Sequence, residues 1–181
     1  RKLFPFPIIG VITPGARAAV HASTNKKIAV LGTTGTIKSE AYNKAIENQA
    51  PGAIVFPLAC PEFVKLVEDG QYNSEKASLI TKRTLRELHG KGFDVAILGC
   101  THYPLLEYLI KNALTKNVQI ISSAVETVLD VERTLIEKEI LGTGLEKVEP
   151  VFFTTGLRGS FKHIVTDWLS IQKPDVRHLD L

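Results

Sequence analysis

The chain has 181 residues, 44% of them hydrophobic and 23% charged, with a net charge of +3. This composition is typical of a globular protein, no apolar run reaches membrane-spanning length, and the scattered basic residues argue against a nucleic-acid partner. Two cysteines far apart in the sequence do not make a disulfide framework, so we expect a reducing, cytoplasmic compartment.

Strand-like and helix-like segments alternate along the chain, which predicts an α/β fold with a parallel sheet and crossover helices. We expect strands at residues 8–12, 27–31, 53–58, 94–98, 118–121 and 151–155. Helices are expected from Pro14 to Ala19, up to Ile46, at 62–68, after the Asn73-Ser74 cap, after Pro104, from about Val125 to Leu141, and around Phe161 to Leu169. The polar stretch 142–149 is the expected linker, and the tail from Lys173 is expected to fray.

The most informative segment is Leu98-Gly99-Cys100-Thr101-His102-Tyr103-Pro104, which begins at the end of an apolar strand. Ligands of open α/β sheets bind beyond the carboxyl ends of the strands, where Cys100 stands. Pro104 suits the first turn of a helix, and amide donors at a helix start favour a thiolate. His102 can hold that thiolate or donate a proton to a bound carboxylate or amine. We therefore predict that Cys100 is a reactive thiol rather than a packing residue.

Two further side chains are weaker candidates. Cys60 also lies between a strand and a helix, but no histidine accompanies it, and we interpret it as a packing cysteine. Glu68, at the end of the helix 62–68, is either a solvated surface acid or a group that orients His102 across the crevice. The residues alone leave both roles of Glu68 open.

Two turns have the composition to hold an anion at helix-start amides, namely 13–16 (Thr-Pro-Gly-Ala) and 32–36 (Gly-Thr-Thr-Gly-Thr). Neither has the spacing of a Walker or dinucleotide motif, so turn geometry is the preferred explanation. No metal is expected, because the histidines outside the Cys100 segment have no ligand-like spacing; they are His21, His89, His163 and His178.

The segment Gly99-Cys100-Thr101-His102-Tyr103-Pro104-Leu105-Leu106 resembles the second catalytic-cysteine signature of the glutamate racemases, cofactor-independent enzymes of the aspartate/glutamate racemase superfamily. The aspartate racemases have another residue after the Cys-Thr pair, so His102 favours glutamate. Supporting matches are 10–17, Gly32-Thr33, Thr36-Ile37-Lys38-Ser39 with Tyr42, 58–63, and Val67-Glu68.

The resemblance implies that two thiols on opposite faces of Cα exchange acid and base roles, without a cofactor, and interconvert L- and D-glutamate for peptidoglycan. It implies that Cys100 deprotonates L-glutamate and that Thr101 and His102 contact the substrate. His102 would also support the thiolate, and Glu68 would tune His102. Cys60 has no catalytic role in the family. Glutamate is the implied partner, and homodimerisation is left open.

The resemblance covers essentially the whole chain but only about the last two thirds of the family's length. The family's Asp-Ser-Gly and Tyr-Gly segments and its first catalytic cysteine, in a Cys-Asn-Thr motif, precede the point that matches Arg1. An opening Arg1 and the lack of methionine favour a chain cut in its interior, while a short protein without its initiator stays open. We expect these 181 residues alone to be inactive. Ser122-Ser123-Ala124 also departs from the family pattern, which is Asp or Ser followed by Ser and Gly.

The implied architecture is two similar α/β domains with the active site between them. Residues 10–122 would form an intact second domain, whereas 1–9 and 123–181 would belong to an incomplete first domain. An incomplete domain should expose sheet edge and apolar helix faces, so we expect association or partial disorder. Two other functions stay open: a non-enzymatic binding or regulatory remnant of this fold, and a cysteine hydrolase, which the lack of an evident oxyanion-hole motif disfavours.

Overall fold

The computed structural model describes residues 4–142, 144 and 148–180. Its elements in chain order are α1 (Ile12–Ala22), β1 (Lys27–Gly32), α2 (Thr34–Lys38), α3 (Ala41–Gln49), β2 (Ile54–Ala59), α4 (Pro61–Glu68), α5 (Glu75–Leu85), a 3-10 turn (Arg86–Leu88), β3 (Val95–Leu98), a second 3-10 turn (Tyr103–Leu106), α6 (Glu107–Ala113), β4 (Gln119–Ser122), α7 (Ser123–Glu137), β5 (Val151–Thr154), α8 (Arg158–Leu169) and β6 (Asp175–His178). The predicted alternation of strands and helices is confirmed.

The main sheet is parallel, with the strand order β2-β1-β3-β4. Its two central strands, β1 and β3, are apolar and almost wholly buried, as parallel strands covered on both faces must be. Leu31 on β1 pairs with Leu98 on β3, and Leu98 pairs with Ser122 on β4. This register brings the residues after β1, β3 and β4 to one edge of the sheet.

Helices cover both faces of this sheet. Ile28, Val30, Val95 and Ile97 point to one face and pack in a buried cluster with α1 and α3; its further members are Ala16, Ala19, Tyr42, Ile46 and Ile121. Because side chains alternate along a strand, Leu31 and Leu98 point to the opposite face. The sheet edge that carries Cys100 therefore borders a buried core.

The described residues divide into two compact units, one up to Ile140 and one from Leu141 onwards. In the second unit, β5 and β6 pair in parallel and α8 contacts β6. In the first unit, α7 packs on α1. The predicted assignment of 10–122 to one domain, and of 1–9 with 123–181 to another, stays a prediction.

Helix α7 exposes an apolar stripe, as expected from the apolar residues along it. The exposed apolar side chains of α7 are Val125, Val128, Leu129, Val131 and Ile136. Whether this surface causes association stays a prediction. None of the helices in the described ranges is long and apolar enough to cross a membrane.

Three sequence-based assignments near the chain ends are wrong. Residues 8–10 form no strand, because they have no partner strand in the described ranges, and α1 begins at Ile12 with Pro14 in its first turn. Helix α7 ends at Glu137, several residues early, and Glu139 takes a left-handed conformation just beyond it. The tail does not fray throughout, since β6 pairs with β5. The predicted linker 142–149 lies partly outside the described residues.

Two predicted helices are also divided in the structure. The helix expected to run up to Ile46 breaks into α2 and α3 at Ser39 and Glu40, where Glu40 has a φ of 53°. The helix after Cys100 begins as the 3-10 turn at Tyr103, and α6 follows it. Ser74 caps α5 as predicted, because its hydroxyl accepts a hydrogen bond from the amide of Ala77 at 3.1 Å.

Candidate active site

Cys100 lies in a tight turn at the carboxyl end of β3. Gly99 continues the pairing of β3 with β1, since its amide donates to the carbonyl of Leu31 at 2.8 Å. The carbonyl of Cys100 then accepts from the amide of Tyr103 at 3.2 Å, which starts the 3-10 turn. The thiol is thereby placed half-buried at the sheet edge, as predicted from the strand pattern.

The structure brings Cys100, His102 and Glu68 into one chain of contacts. The Sγ of Cys100 lies 3.7 Å from Nδ1 of His102, and Nε2 of His102 lies 3.2 Å from Oε1 of Glu68. A carboxylate only accepts, so Nε2 donates to Glu68, and Nδ1 of the neutral ring is left as an acceptor facing the thiol. The Oγ1 of Thr101 also lies 3.5 Å from Nδ1. A proton can therefore pass between sulfur and imidazole while the carboxylate holds the ring.

The pKa of Cys100 is raised rather than lowered, which corrects the expected effect of the helix-start amides. Burial of the thiol is the largest cause. The backbone amides of His102 and Tyr103 do act in the expected direction and lower the pKa, whereas the negative charge of Glu68 raises it. Burial outweighs the two amides, so these residues hold Cys100 mainly as a neutral thiol at neutral pH.

Cys60 is a packing cysteine, as predicted. Its side chain is fully buried, and burial raises the pKa of its thiol to about 12. Its carbonyl accepts a hydrogen bond from the hydroxyl of Tyr103 at 2.9 Å, and the ring of Tyr103 packs edge-on against Phe63 at 5.3 Å between centroids. Cys60 thus anchors the 3-10 turn behind Cys100 and does not reach the surface.

The two candidate anion turns have structural roles instead. Pro14 has no amide N–H, and Gly15 and Ala16 are buried in the first turns of α1, so their amides are closed to an anion in solution. Thr33 caps α2, since its Oγ1 accepts from the amide of Thr36 at 3.2 Å. Across the described ranges, no group of three or more His, Cys, Asp or Glu side chains is arranged to hold a metal ion.

One contact beside the thiol was not predicted. The hydroxyls of Tyr42 on α3 and Ser123 on α7 lie 2.7 Å apart, and both side chains are buried. The helical spacing of Tyr42 and Ile46 signals that Tyr42 faces the core. Its partner is 81 residues away, however, and only the folded chain brings the two hydroxyls together.

Comparison with known proteins identifies the family. The model of the Asp/Glu/Hydantoin racemase family matches residues 1–130. A glutamate racemase of Enterococcus faecalis is 45% identical over 182 residues, which cover 100% of this chain and 67% of that protein. The chain belongs to the Asp/Glu/Hydantoin racemase family and is a homologue of glutamate racemases. The predicted resemblance is confirmed.

Solved racemase structures show the same fold. The crystal structure of glutamate racemase isoform RacE1 from Bacillus anthracis matches with a TM-score of 0.92 at 41% identity, over 99% of this chain and 67% of that one. The glutamate racemase of Francisella tularensis, in complex with D-glutamate, matches with a TM-score of 0.87 at 27% identity, over 97% of this chain and 65% of that one. This racemase homologue therefore spans about two thirds of the length of these relatives.

Proposed function

We propose that these residues form the Cys100-bearing part of a cofactor-independent glutamate racemase, which interconverts L- and D-glutamate by proton transfer at Cα. The observation that carries the proposal is the contact chain from Cys100 through His102 to Glu68 at the carboxyl end of β3. Membership of the racemase family supports glutamate as the substrate.

The proposed chemistry needs a thiolate on one face of the substrate. The Cys100 thiolate takes the proton from Cα of L-glutamate, forming an S–H bond while the C–H bond breaks and its electron pair stays on carbon. A second thiol returns a proton to the opposite face and gives D-glutamate. Fixed donors must stabilise the carbanion-like charge, because no cofactor does so. Thr101 and His102 are proposed to contact the substrate, His102 to support the thiolate, and Glu68 to tune His102.

The raised pKa of Cys100 is compatible with this role. A thiol that is neutral at rest must be deprotonated before it can act as the base, and Nδ1 of His102 is the nearest acceptor, at 3.7 Å. In the reverse direction, the same neutral thiol is the acid that protonates Cα. One group can therefore serve both directions of the reaction.

Within these 181 residues, Cys60 is the only other cysteine, and it does not qualify as the second thiol. It is fully buried, and its pKa of about 12 keeps it protonated. We therefore propose that the 181-residue polypeptide does not racemise glutamate by itself and that the opposite-face thiol comes from outside it. By family, we further propose a role in supplying D-glutamate for peptidoglycan, in the cytoplasm, with homodimerisation to be tested by sedimentation.

The test asks whether D-glutamate forms with and without a segment that can supply the second thiol. The 181-residue polypeptide is incubated with L-glutamate in deuterated buffer, and so is a fusion that carries the first third of the Enterococcus faecalis relative at its N-terminus. We expect the fusion to form deuterated D-glutamate, its Cys100→Ala variant to form none, and the 181-residue polypeptide to form no D-glutamate. Formation of D-glutamate by the 181 residues alone contradicts the need for an outside thiol. A fusion in which Cys100→Ala changes nothing contradicts the racemase assignment and favours a binding role.

A further inference from the structure

Tyr42 packs directly beneath the residue that precedes the catalytic thiol. A Cβ atom on Gly99 would lie 2.9 Å from Cε2 of Tyr42 and 3.0 Å from the carbonyl oxygen of Leu31. Distances this short leave no room for a side chain. The ring of Tyr42 and the backbone of β1 therefore enclose Gly99 from two directions, and the position of Cys100 follows from that enclosure.

The hydroxyl of Tyr42 extends this support to the neighbouring strand. It lies 2.7 Å from Oγ of Ser123, the first residue after β4, and Ser123 in turn packs so closely on α1 that a Cβ on Gly15 would collide with its hydroxyl. Tyr42 is 3% exposed and Ser123 is 4% exposed, so water does not compete for this hydrogen bond. One side chain on α3 thus links the carboxyl ends of β3 and β4.

The thiol and the tyrosine also share an electrostatic environment. Burial raises the pKa of Tyr42 most strongly, the hydrogen bond from Ser123 lowers it, and the charge of a Cys100 thiolate raises it again. The Tyr42 hydroxyl bonds to Ser123 rather than to the thiol, so its contribution to Cys100 is positional.

We propose that Tyr42 is a positioning residue for Cys100: its ring holds Gly99 in place, and its hydrogen bond to Ser123 holds the ring. The consequence is that Cys100 is held where the backbone amides of His102 and Tyr103 lower the pKa of its thiol. The relevance of this support to racemisation rests on the proposed function, but the positioning itself does not.

The reactivity of Cys100 towards iodoacetamide tests the proposal without any substrate. Alkylation is followed against pH by mass spectrometry in the 181-residue chain and in Tyr42→Phe, Ser123→Ala and the double variant. Tyr42→Phe keeps the ring and removes the hydroxyl. We expect each single variant to slow alkylation of Cys100 at pH 8 about fivefold, the equivalent of one net hydrogen bond, and to move the pH midpoint upward. The double variant should slow the alkylation of Cys100 no more than either single variant does, because both substitutions remove the same hydrogen bond.

The matched control is Ile46→Val, on the same helix one turn beyond Tyr42. Ile46 is fully buried and removed from Gly99 by that turn, so its truncation lowers stability without touching the hydrogen bond. An alkylation profile that is unchanged in both Tyr42→Phe and Ser123→Ala, while their urea midpoints fall as in Ile46→Val, overturns the proposal. If Tyr42→Phe does not fold, the alkylation profile of Ser123→Ala alone is compared with that of Ile46→Val. A shifted alkylation profile in these variants supports the positioning role. If the fusion with the first third of the Enterococcus faecalis relative forms no D-glutamate although Cys100 is intact, the racemase assignment is rejected while the positioning role stands.

Discussion

Glu68 and His102 are separated by 34 residues in the sequence, yet their side chains lie 3.2 Å apart. Glu68 ends α4 and His102 follows β3, so the contact exists only because the two elements meet at the carboxyl edge of the sheet. The carboxylate sets which nitrogen of His102 carries the proton, and it also raises the pKa of Cys100. The half-exposed carboxylate of Glu68 thus leaves Nδ1 of His102 ready to accept the proton of the thiol, whereas its negative charge disfavours the thiolate.

Removing the charge of Glu68 should make Cys100 more reactive. In Glu68→Gln, the carboxylate that raises the pKa of Cys100 is gone, so a larger thiolate fraction is present at any pH below the midpoint. We expect faster alkylation at pH 8 and a lower pH midpoint. Because the hydrogen bond between His102 and Glu68 is exposed to solvent, the free energy of unfolding should change by less than about 1 kcal/mol.

The control for Glu68 is Glu62→Gln on the same helix. Glu62 pairs with Arg83 at 2.6 Å and has no contact with the thiol among the described residues. Its substitution should leave the alkylation profile unchanged. Slower alkylation in Glu68→Gln would show that the loss of orientation of His102 outweighs the loss of charge.

Gly15→Ala should destabilise the first compact unit. The added Cβ would collide with Oγ of Ser123 and lie 2.9 Å from its Cβ, so α1 and α7 must move apart. We expect a loss of about 1–3 kcal/mol in the free energy of unfolding, measured by urea denaturation. Gly35→Ala is the matched control, because its nearest neighbour would be 3.9 Å away and alanine favours the helix. Equal effects of the two substitutions would contradict the close packing of Gly15 on Ser123.

Tyr103→Phe should also lower stability, for a different reason. The variant keeps the ring against Phe63 but removes the buried hydrogen bond from the hydroxyl to the carbonyl of Cys60, which keeps only the amide of Phe63 as a donor. We expect a cost of about 0.5–1.5 kcal/mol by urea denaturation, the net value of one hydrogen bond. Tyr108→Phe serves as the control, since Tyr108 is 75% exposed. If the two variants unfold at the same urea concentration, the hydrogen bond to Cys60 does not stabilise the 3-10 turn.

Asp94 should make stability depend on acid pH. Burial favours the neutral carboxyl, but hydrogen bonds from Ser23, Thr24 and Asn25 outweigh it and lower the pKa of Asp94. A lowered folded-state pKa contributes stability above the ordinary value of about 3.9, and this contribution is lost as the pH falls through the folded-state pKa. We expect Asp94→Asn to lose about 1–3 kcal/mol at pH 7 and progressively less below pH 4, by urea denaturation.

The control for the Asp94 substitution is Asp69→Asn, at an exposed position. It should change the free energy of unfolding at pH 7 by no more than about 0.5 kcal/mol. A constant difference between Asp94→Asn and the wild type from pH 7 to pH 3 would show that the carboxylate of Asp94 is not selectively stabilised in the folded chain.

The sequence by itself determined the parallel α/β fold and the place of Cys100. The apolar run 94–98 and the glycine after it predict a buried strand that ends at the thiol, and short-range rules suffice for this. The same rules failed at 8–10 and at 175–178, because strand formation there depends on whether a partner strand is present. Pairing is a long-range property that local composition does not encode.

Only the tertiary structure decided which groups surround the thiol. The contact of Glu68 with His102 and the hydrogen bond of Tyr42 with Ser123 join residues 34 and 81 positions apart. The sign of the pKa shift of Cys100 was likewise decided by packing: the two amides predicted from the helix start are present, but burial opposes them and prevails. Local sequence specifies the donors near a group, whereas desolvation depends on everything that the folded chain places around it.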